Sequence, residues 1–123
     1  FRRDAPALIA ACNASVLPSL KREGLPKTVI EAMAYGVTPV VSDTGGSAEL
    51  IEDGVSGFVV QPGKPDQIAK AVTTLSQDPE RFKAMGVAAK VRITQYFSTE
   101  KSAQDTLAFI QQLVDKRRSD PQE

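Results

Sequence analysis

A short run of β-branched residues, T-P-V-V-S at Thr38–Ser42, constrains the fold more than any other segment of the chain. Apolar residues occupy adjacent positions in it, so a strand formed here would bury both of its faces. Patterns typical of helices precede and follow the run. A doubly buried strand between helices predicts an α/β fold, in which helices cover both faces of a parallel sheet.

Two further apolar runs predict strands before and after this one. Ala14–Pro18 is expected to form a short buried strand that ends at the proline, and Gly57–Val60 a third strand. Helices are predicted over residues 6–12, from 26 to the turn at Gly36, over 48–52, from 64 onward, from 78 to about 96, and from 98 onward. Asp4 and Ser47 are the expected N-caps of the first and third of these helices.

Three of the predicted helices carry a stripe of apolar residues at helical spacing, which is the side expected to face a core. The stripes comprise Val29, Ile30, Met33 and Ala34; Ile68, Ala71, Val72 and Leu75; and Ala103, Leu107, Ile110 and Val114.

The alternation of strands and helices predicts right-handed crossovers and a Rossmann-like parallel sheet. Three strands are fewer than such a sheet usually contains, and the first predicted element is a helix. We therefore expect residues 1–123 to be a partial domain, the second half of a Rossmann-like fold. The chain begins at Phe1 without Met or a signal-peptide pattern, which indicates a piece of a longer polypeptide. Residues 116–123 are charged and contain proline, and we expect them to fray.

Composition excludes several classes of function. Lysine plus arginine and aspartate plus glutamate each number 15, so no basic surplus exists to bind a nucleic acid backbone. The chain contains no histidine, which excludes histidine bases and zinc sites built on histidine within it. Its one cysteine, Cys12, is expected to be a buried inert thiol and suits a reducing compartment. No apolar run approaches the ~20 residues needed to span a membrane.

The segment Glu23–Ala32, E-G-L-P-K-T-V-I-E-A, places two carboxylates eight positions apart around a predicted helix start. Gly24 and Pro26 shape the turn before that helix. The first amides of a helix lack hydrogen-bond partners within it and favour an anion. The N–H groups of Lys27 and Thr28 are therefore the expected hydrogen-bond donors to a phosphate. Because this loop follows a parallel strand, it lies at the sheet edge where such folds bind ligands.

A ligand that carries hydroxyl groups as well as negative charge, such as a nucleotide-sugar, would use the two glutamates in separate roles. Glu23 would accept hydrogen bonds from sugar hydroxyls or balance positive charge on an anomeric carbon. Glu31, one turn into the helix and expected to be at least partly buried, would accept hydrogen bonds from ribose hydroxyls. The plainer alternative is that Glu23 is a solvated loop charge and Glu31 a helix surface residue.

A second loop at the same sheet edge contains Gly45 and Gly46. Two glycines allow positive φ and close backbone approach, which a donor sugar would use. An ordinary strand-to-helix turn is the alternative. Lys21 and Arg22 either meet a phosphate or remain solvated.

The chain resembles the donor-binding half of retaining GT-B glycosyltransferases. The resemblance is carried by V-L-P-S-L and by R-E-G-L-P-K-T-V-I-E-A-M-A-Y-G-V-T-P-V-V-S-D-T-G-G-S-A-E-L-I-E-D-G-V-S-G-F-V-V. More narrowly, it is similar to the family-four group that includes sucrose synthases and lipid or polysaccharide mannosyl- and glucosyltransferases. That group acts in polysaccharide or glycolipid biosynthesis, which implies a location in the cytoplasm or at the inner face of the membrane.

The resemblance assigns roles by position. Glu23 matches the first glutamate of the E-x7-E motif, at the donor sugar and reaction centre, and is the expected catalytic residue. Glu31 matches the second glutamate, which binds the nucleotide ribose. The stretch near the diphosphate and sugar comprises Gly24, Leu25, Lys27 and Thr28. A nucleotide diphosphate sugar is the implied donor, and a glycan, lipid or small molecule the acceptor, with no metal ion or other cofactor.

Two parts of the family pattern lie outside this sequence. They are the upstream Arg and Lys that neutralise the diphosphate and the N-terminal domain that binds the acceptor. The chain alone is therefore expected to be inactive, with weak nucleotide-sugar binding at best. The resemblance also implies that the last helix, Thr99–Arg117, crosses back toward the N-terminal domain.

Two other functions remain open on the sequence alone. One is a nucleotide-sugar epimerase on the same scaffold, although the register from E-G-L-P to G-G fits epimerases less well. The other is a non-catalytic binding or assembly module. The predicted strand Ala14–Pro18 would be an unpaired sheet edge, which favours a dimer through that edge.

Overall fold

The computed structural model describes residues 2–119 and contains a three-stranded parallel sheet. Its strands, in spatial order, are β1 (Ala14–Leu17), β2 (Thr38–Ser42) and β3 (Phe58–Val60). The helices are α1 (Ala5–Ala10), α2 (Lys27–Ala34), α3 (Pro65–Gln77), α4 (Pro79–Tyr96) and α5 (Thr99–Ser119), with a short 3₁₀ helix at Ala48–Leu50. The predicted α/β, Rossmann-like architecture is confirmed.

The central strand β2 is buried on both faces, as its composition predicted. All five of its residues are buried. Val41 packs into the α2-side cluster, which comprises Val29, Met33, Val41, Leu50, Ile51, Ala89 and Ile93. Val40 packs into the α3-side cluster, which comprises Val40, Val60, Ala71, Leu75 and Met85. Because neighbouring strand residues point to opposite faces, the two clusters lie on opposite sides of the sheet.

A proline precedes the first residue of helix α2, and a glycine with positive φ follows its last turn. Pro26 is the extended N-cap residue, so the helix starts one residue later than predicted. At the other end, Gly36 has φ 76°. The Val37 amide donates to Ala32 O at 2.9 Å and the Gly36 amide to Met33 O at 2.9 Å, a Schellman motif. The predicted C-terminal glycine is confirmed.

The buried stripe of α2 differs from the prediction, because Ile30 is only partly buried and Ala32 takes the place of Ala34. Val29, Ala32 and Met33 are buried, whereas Ala34 is exposed. Residues three and four apart share a helix face, so Ala32 and Met33 lie on the same face as Val29. Ala34 comes five positions after Val29 and points away from that face. In α3, Val72 is likewise 40% exposed rather than part of the buried stripe.

Helix α4 joins the two clusters across the amino edge of the sheet. It contributes Met85 to one cluster and Ile93 to the other. Thr38 Oγ1, at the start of β2, donates to Phe82 O at 3.2 Å. The predicted helix start is confirmed, since the Asp78 side chain accepts a hydrogen bond from the Arg81 amide at 3.0 Å.

Asp4 and Ser47 occupy the predicted N-cap positions, but neither side chain makes a capping hydrogen bond. Asp4 forms an ion pair with Arg2 at 2.7 Å instead of capping α1, and the hydrogen bond from that guanidinium lowers the pKa of Asp4. Ser47 has helical φ and ψ, so its hydroxyl is not placed to cap the shorter 3₁₀ helix that follows. Its buried Oγ has no hydrogen-bond partner among residues 2–119.

Two residues predicted to be buried near the first strand are exposed. Val16 in β1 is 43% exposed, because β1 is an edge of the described sheet and neighbours only β2 there. Cys12 is also exposed, and its thiol donates to Leu8 O at 3.2 Å. The dimer through the β1 edge stays a prediction.

Helix α5 has the predicted apolar stripe, but no described residue of it is buried. It runs to Ser119, so residues 116–119 are helical where the sequence predicted a frayed tail. Residues 120–123 of that tail lie outside the described residues. Within residues 2–119, every helix is too short or too polar to cross a bilayer.

Candidate functional site

The loops that follow β1 and β2 meet at the carboxyl edge of the sheet. Because β1 and β2 are parallel and paired, both loops leave the sheet on the same side. Glu23 and Gly45 extend the pairing as an isolated parallel bridge. The Gly46 amide donates to Glu23 O at 3.1 Å. The structure therefore brings the two sequence-predicted loops into direct backbone contact.

The two glycines make this contact sterically possible. Gly45 has φ +59°, and a Cβ on it would lie 2.0 Å from Glu23 O. A Cβ on Gly46 would lie 2.8 Å from Gly24 O. The predicted close backbone approach is present, but the group approached is the Glu23–Gly24 backbone. Sequence reasoning could not identify that group because the two loops are about twenty residues apart.

An open groove of about 510 Å³ lies over these two loops. Its lining residues are Arg22, Glu23, Gly24, Leu25, Gly45, Gly46 and Glu49. Five of the eight sequence-predicted site residues thus share one cavity. Arg22, one of the two loop cations considered from the sequence, also lines it. Glu49 was not singled out, and its only local signal is its place in the 3₁₀ helix after the glycine pair.

Glu23 is oriented within the groove by its own loop. Ser19 Oγ donates a hydrogen bond to Glu23 Oε1 at 2.5 Å, while the Glu23 backbone is held by Gly46. A carboxylate has about four acceptor positions, so this bond leaves most of them for a ligand. The exposed carboxylate of Glu23 is therefore available to hydroxyl groups in the groove.

The remaining predicted residues lie on α2 rather than in the groove lining. The first helical hydrogen bonds are donated by Val29 and Ile30 to Pro26 O, so the amides of Lys27 and Thr28 precede them. This is the arrangement expected for an anion at a helix start. Glu31 lies one turn further along α2 and is exposed, so the expectation that it is buried is wrong. It occupies the polar side of α2, away from the stripe that contacts the sheet.

The charges around the groove suit a ligand with both hydroxyl and anionic groups. Glu23 and Glu49 supply carboxylate acceptors, and Arg22 supplies a cation beside them. Phosphate oxygens suit the guanidinium and free amides, whereas sugar hydroxyls suit the carboxylates. In the part of the chain from 2 to 119, no three Cys, Asp or Glu side chains come together as a set of metal ligands.

Comparisons with known proteins point to one family. Residues 2–92 match the family model described as glycosyl transferases group 1. The chain is 35% identical over 81% of its length to alpha-maltose-1-phosphate synthase of Mycolicibacterium smegmatis, covering 27% of that protein. It is 34% identical over 88% of its length to D-inositol 3-phosphate glycosyltransferase of Streptomyces griseus, covering 23% of it.

A solved structure shows the same fold. The crystal structure of Anabaena Alr3699/HepE in complex with UDP superposes with a TM-score of 0.84 and 29% sequence identity. The match covers 91% of this chain and 31% of the Anabaena chain. The chain thus spans about a quarter of the length of the curated relatives it matches. The matched part includes the sheet and both groove loops.

Proposed function

The chain belongs to the group 1 glycosyl transferases, and from this premise we propose that it forms part of a nucleotide-sugar donor site. The complete enzyme would transfer the sugar to an acceptor with retention of anomeric configuration. One observation carries the proposal: the Glu23 carboxylate and the glycine loop share a groove at the carboxyl edge of a parallel sheet. Ligands bind at this edge in open α/β sheets.

The properties of the Anabaena relative support this choice of ligand. Its structures were determined in complexes with UDP, with UDP-glucose, and with UDP and glucose. By analogy, the donor proposed here is a nucleotide diphosphate sugar, and the acceptor is a glycan, lipid or small molecule. We also infer a cytoplasmic or inner-membrane-face location, because a single cysteine suits a reducing compartment.

The proposed roles follow the positions of the side chains. Glu23 contacts the donor sugar and balances the positive charge that develops at its anomeric carbon as the leaving group departs. The amides of Lys27 and Thr28 donate to the diphosphate, beside Gly24 and Leu25. Glu31, exposed on α2, accepts hydrogen bonds from the ribose. The chemistry proposed for these groups uses no metal ion.

Gly45 and Gly46 have an indirect role in this proposal. They allow the loop after β2 to support the backbone of Glu23 and Gly24, and so help to fix the catalytic carboxylate. A side chain at Gly45 would displace Glu23 O, since its Cβ would approach that atom to 2.0 Å.

Binding by the 123-residue chain tests the proposal directly. In ¹H–¹⁵N correlation spectra recorded with EDTA, UDP-glucose, GDP-mannose and ADP-glucose are titrated into the labelled chain. We expect at least one of them to shift the amides of Gly24, Lys27, Thr28 and Gly46. If none of the three nucleotide-sugars shifts these amide signals, or if all shifted signals belong to residues outside the groove, the donor site is rejected.

Substitution of the two carboxylates separates their roles from general charge effects. Glu23→Gln and Glu31→Gln should each weaken binding, or reduce activity in the complete enzyme, by about tenfold, since a lost ligand hydrogen bond costs ~1–3 kcal/mol. Glu52→Gln is the matched control, because Glu52 is exposed and does not line the groove. Unchanged kinetics in both test variants would defeat the assignment.

A further inference from the structure

Gly45, Gly46 and Glu49 of the groove lining belong to one stretch, the wall segment (residues 45–50), which is held at both ends. At its amino end, the Gly46 amide donates to Glu23 O. At its carboxyl end, Arg92 of α4 donates from Nε to Leu50 O at 2.8 Å and from Nη2 to Glu49 O at 3.0 Å. The second attachment joins the groove to a helix more than forty residues away in sequence.

The carbonyls that Arg92 contacts need a partner from outside their own helix. The hydrogen bond from the Ile51 amide to Ala48 O ends the 3₁₀ helix, so Glu49 O and Leu50 O lie beyond its last internal bond. A guanidinium offers two parallel N–H donors to such a pair and stays charged at any physiological pH. A lysine ammonium in this position would reach the two carbonyls less well.

Arg92 is itself held in place from two sides. Its neighbour Ile93 is buried in the α2-side cluster, which anchors this turn of α4 to the core. The guanidinium lies 5.6 Å from the ring centroid of Tyr96 and 5.9 Å from that of Phe97. Cation–π contacts of this kind restrict where the charged group can go. The fork that contacts the wall segment is therefore preorganised.

We infer that Arg92 is a positioning residue for the groove, acting on the ligand through Glu49. By fixing the Glu49 and Leu50 carbonyls, Arg92 sets the direction in which the Glu49 side chain enters the groove. Glu49 lines the same groove as Glu23, and its carboxylate offers a second set of acceptors for ligand hydroxyls. This inference rests on the proposed donor site and adds a residue outside it that controls how tightly the sugar is held.

A double-mutant cycle on the 123-residue chain tests the inference. UDP-glucose is titrated into the parent chain, Arg92→Met, Glu49→Gln and the double variant. We expect Arg92→Met to weaken UDP-glucose binding about fivefold in the parent chain but less than about twofold in the Glu49→Gln variant. The two effects should not add, because Arg92 acts on the ligand through Glu49. A purely structural role for Arg92 predicts equal losses in both backgrounds and would overturn the inference.

A conservative variant and a matched arginine control complete the design. Arg92→Lys retains the charge and should recover only part of the affinity, and it keeps the cycle measurable where Arg92→Met does not fold. Arg81→Met is the control, because Arg81 is on the same helix but stacks on Phe58 at 5.8 Å, beside the α3-side cluster. Arg81→Met should bind UDP-glucose as the parent does; a loss equal to that of Arg92→Met would overturn the inference.

The ligand-free spectra distinguish failure of this inference from failure of the proposed function. Arg92→Met should shift the amides of Gly45, Gly46 and Glu49 before any ligand is added; unmoved amides would refute the positioning role. UDP-glucose binding by the parent with unchanged affinity in Arg92→Met would refute the inference while the donor site stands. Absence of nucleotide-sugar binding by the parent rejects the donor site, and the inference falls with it.

Discussion

Helices α4 and α5 follow one another in the chain and both contain several apolar residues, yet they differ completely in burial. Helix α4 buries Met85, Gly86, Ala89 and Ile93 and connects the two clusters. No described residue of α5 is buried. Its large apolar side chains are 40–68% exposed: Leu107, Phe109, Ile110, Leu113 and Val114.

An apolar stripe therefore predicts a helix and its apolar face, but it does not predict which residues cover that face. In α4, small residues allow close contact, and Gly86 lies against the backbone of Gly36. In α5, the stripe is made of larger side chains and nothing in residues 2–119 buries it. An exposed apolar surface of this kind is typical of an interaction site. The family resemblance implies packing against an N-terminal domain, which stays a prediction.

The largest expected effect comes from truncating the same residue type on each helix. Ile93 is 4% exposed and Ile110 51% exposed. Ile93→Ala should lower the free energy of unfolding by about 2–5 kcal/mol, because it leaves a cavity in the α2-side cluster. Ile110→Ala should change it by less than about 0.5 kcal/mol. Urea unfolding followed by far-UV circular dichroism measures both.

Equal losses of stability in the two isoleucine variants would contradict the difference in burial between α4 and α5. That result would mean that α5 is buried in solution, through association between copies of the chain. The unfolding midpoint would then depend on protein concentration, and sedimentation measurements would detect the association.

A smaller effect is expected from adding atoms where α4 crosses the sheet edge. A Cβ on Gly86 would lie 2.1 Å from Gly36 O, so the backbone must move. Gly86→Ala should therefore destabilise the fold by about 1–3 kcal/mol, despite the better helix propensity of alanine. Ala108→Val adds carbon atoms to exposed α5 and is the matched control. Thermal unfolding that ranks Ala108→Val as the more harmful change would contradict this account.

The smallest expected effects come from the helix caps. Asp78 accepts from the Arg81 amide at 3.0 Å in α4, and Ser98 accepts from the Lys101 amide at 3.1 Å in α5. Asp78→Ala should lower the free energy of global unfolding by about 1 kcal/mol. Ser98→Ala should instead speed amide hydrogen exchange in α5 by about fivefold without moving the global midpoint, because α5 opens separately.

Hydrogen exchange and denaturation together decide this last case. If Ser98→Ala lowered the global midpoint as much as Asp78→Ala does, α5 would belong to the same cooperative unit as α4. The contrast between the two helices would then be one of exposure only.

The candidate site was predictable in part. The segment around Glu23 and the glycine pair were identified because turn residues and a helix start lie next to each other in sequence. The sequence left the exposure of Glu31 open, since a carboxylate between apolar neighbours fits either a buried or a polar face. Glu49 and Arg92 were missed because their relationship depends on α4 returning to the groove from more than forty residues away.

Local sequence features were enough to predict the three strands, the glycine that ends α2, the start of α4, and the meeting of two loops at one sheet edge. These features depend on local preferences: β-branching at Val40 and Val41, the missing amide of Pro26, and the left-handed conformation available to Gly36. Long-range packing determines which backbone lies against Gly45, which arginine holds the wall segment, and that no residue from 2 to 119 buries α5. Those outcomes depend on the path of the chain between distant residues, which short-range periodicity does not encode.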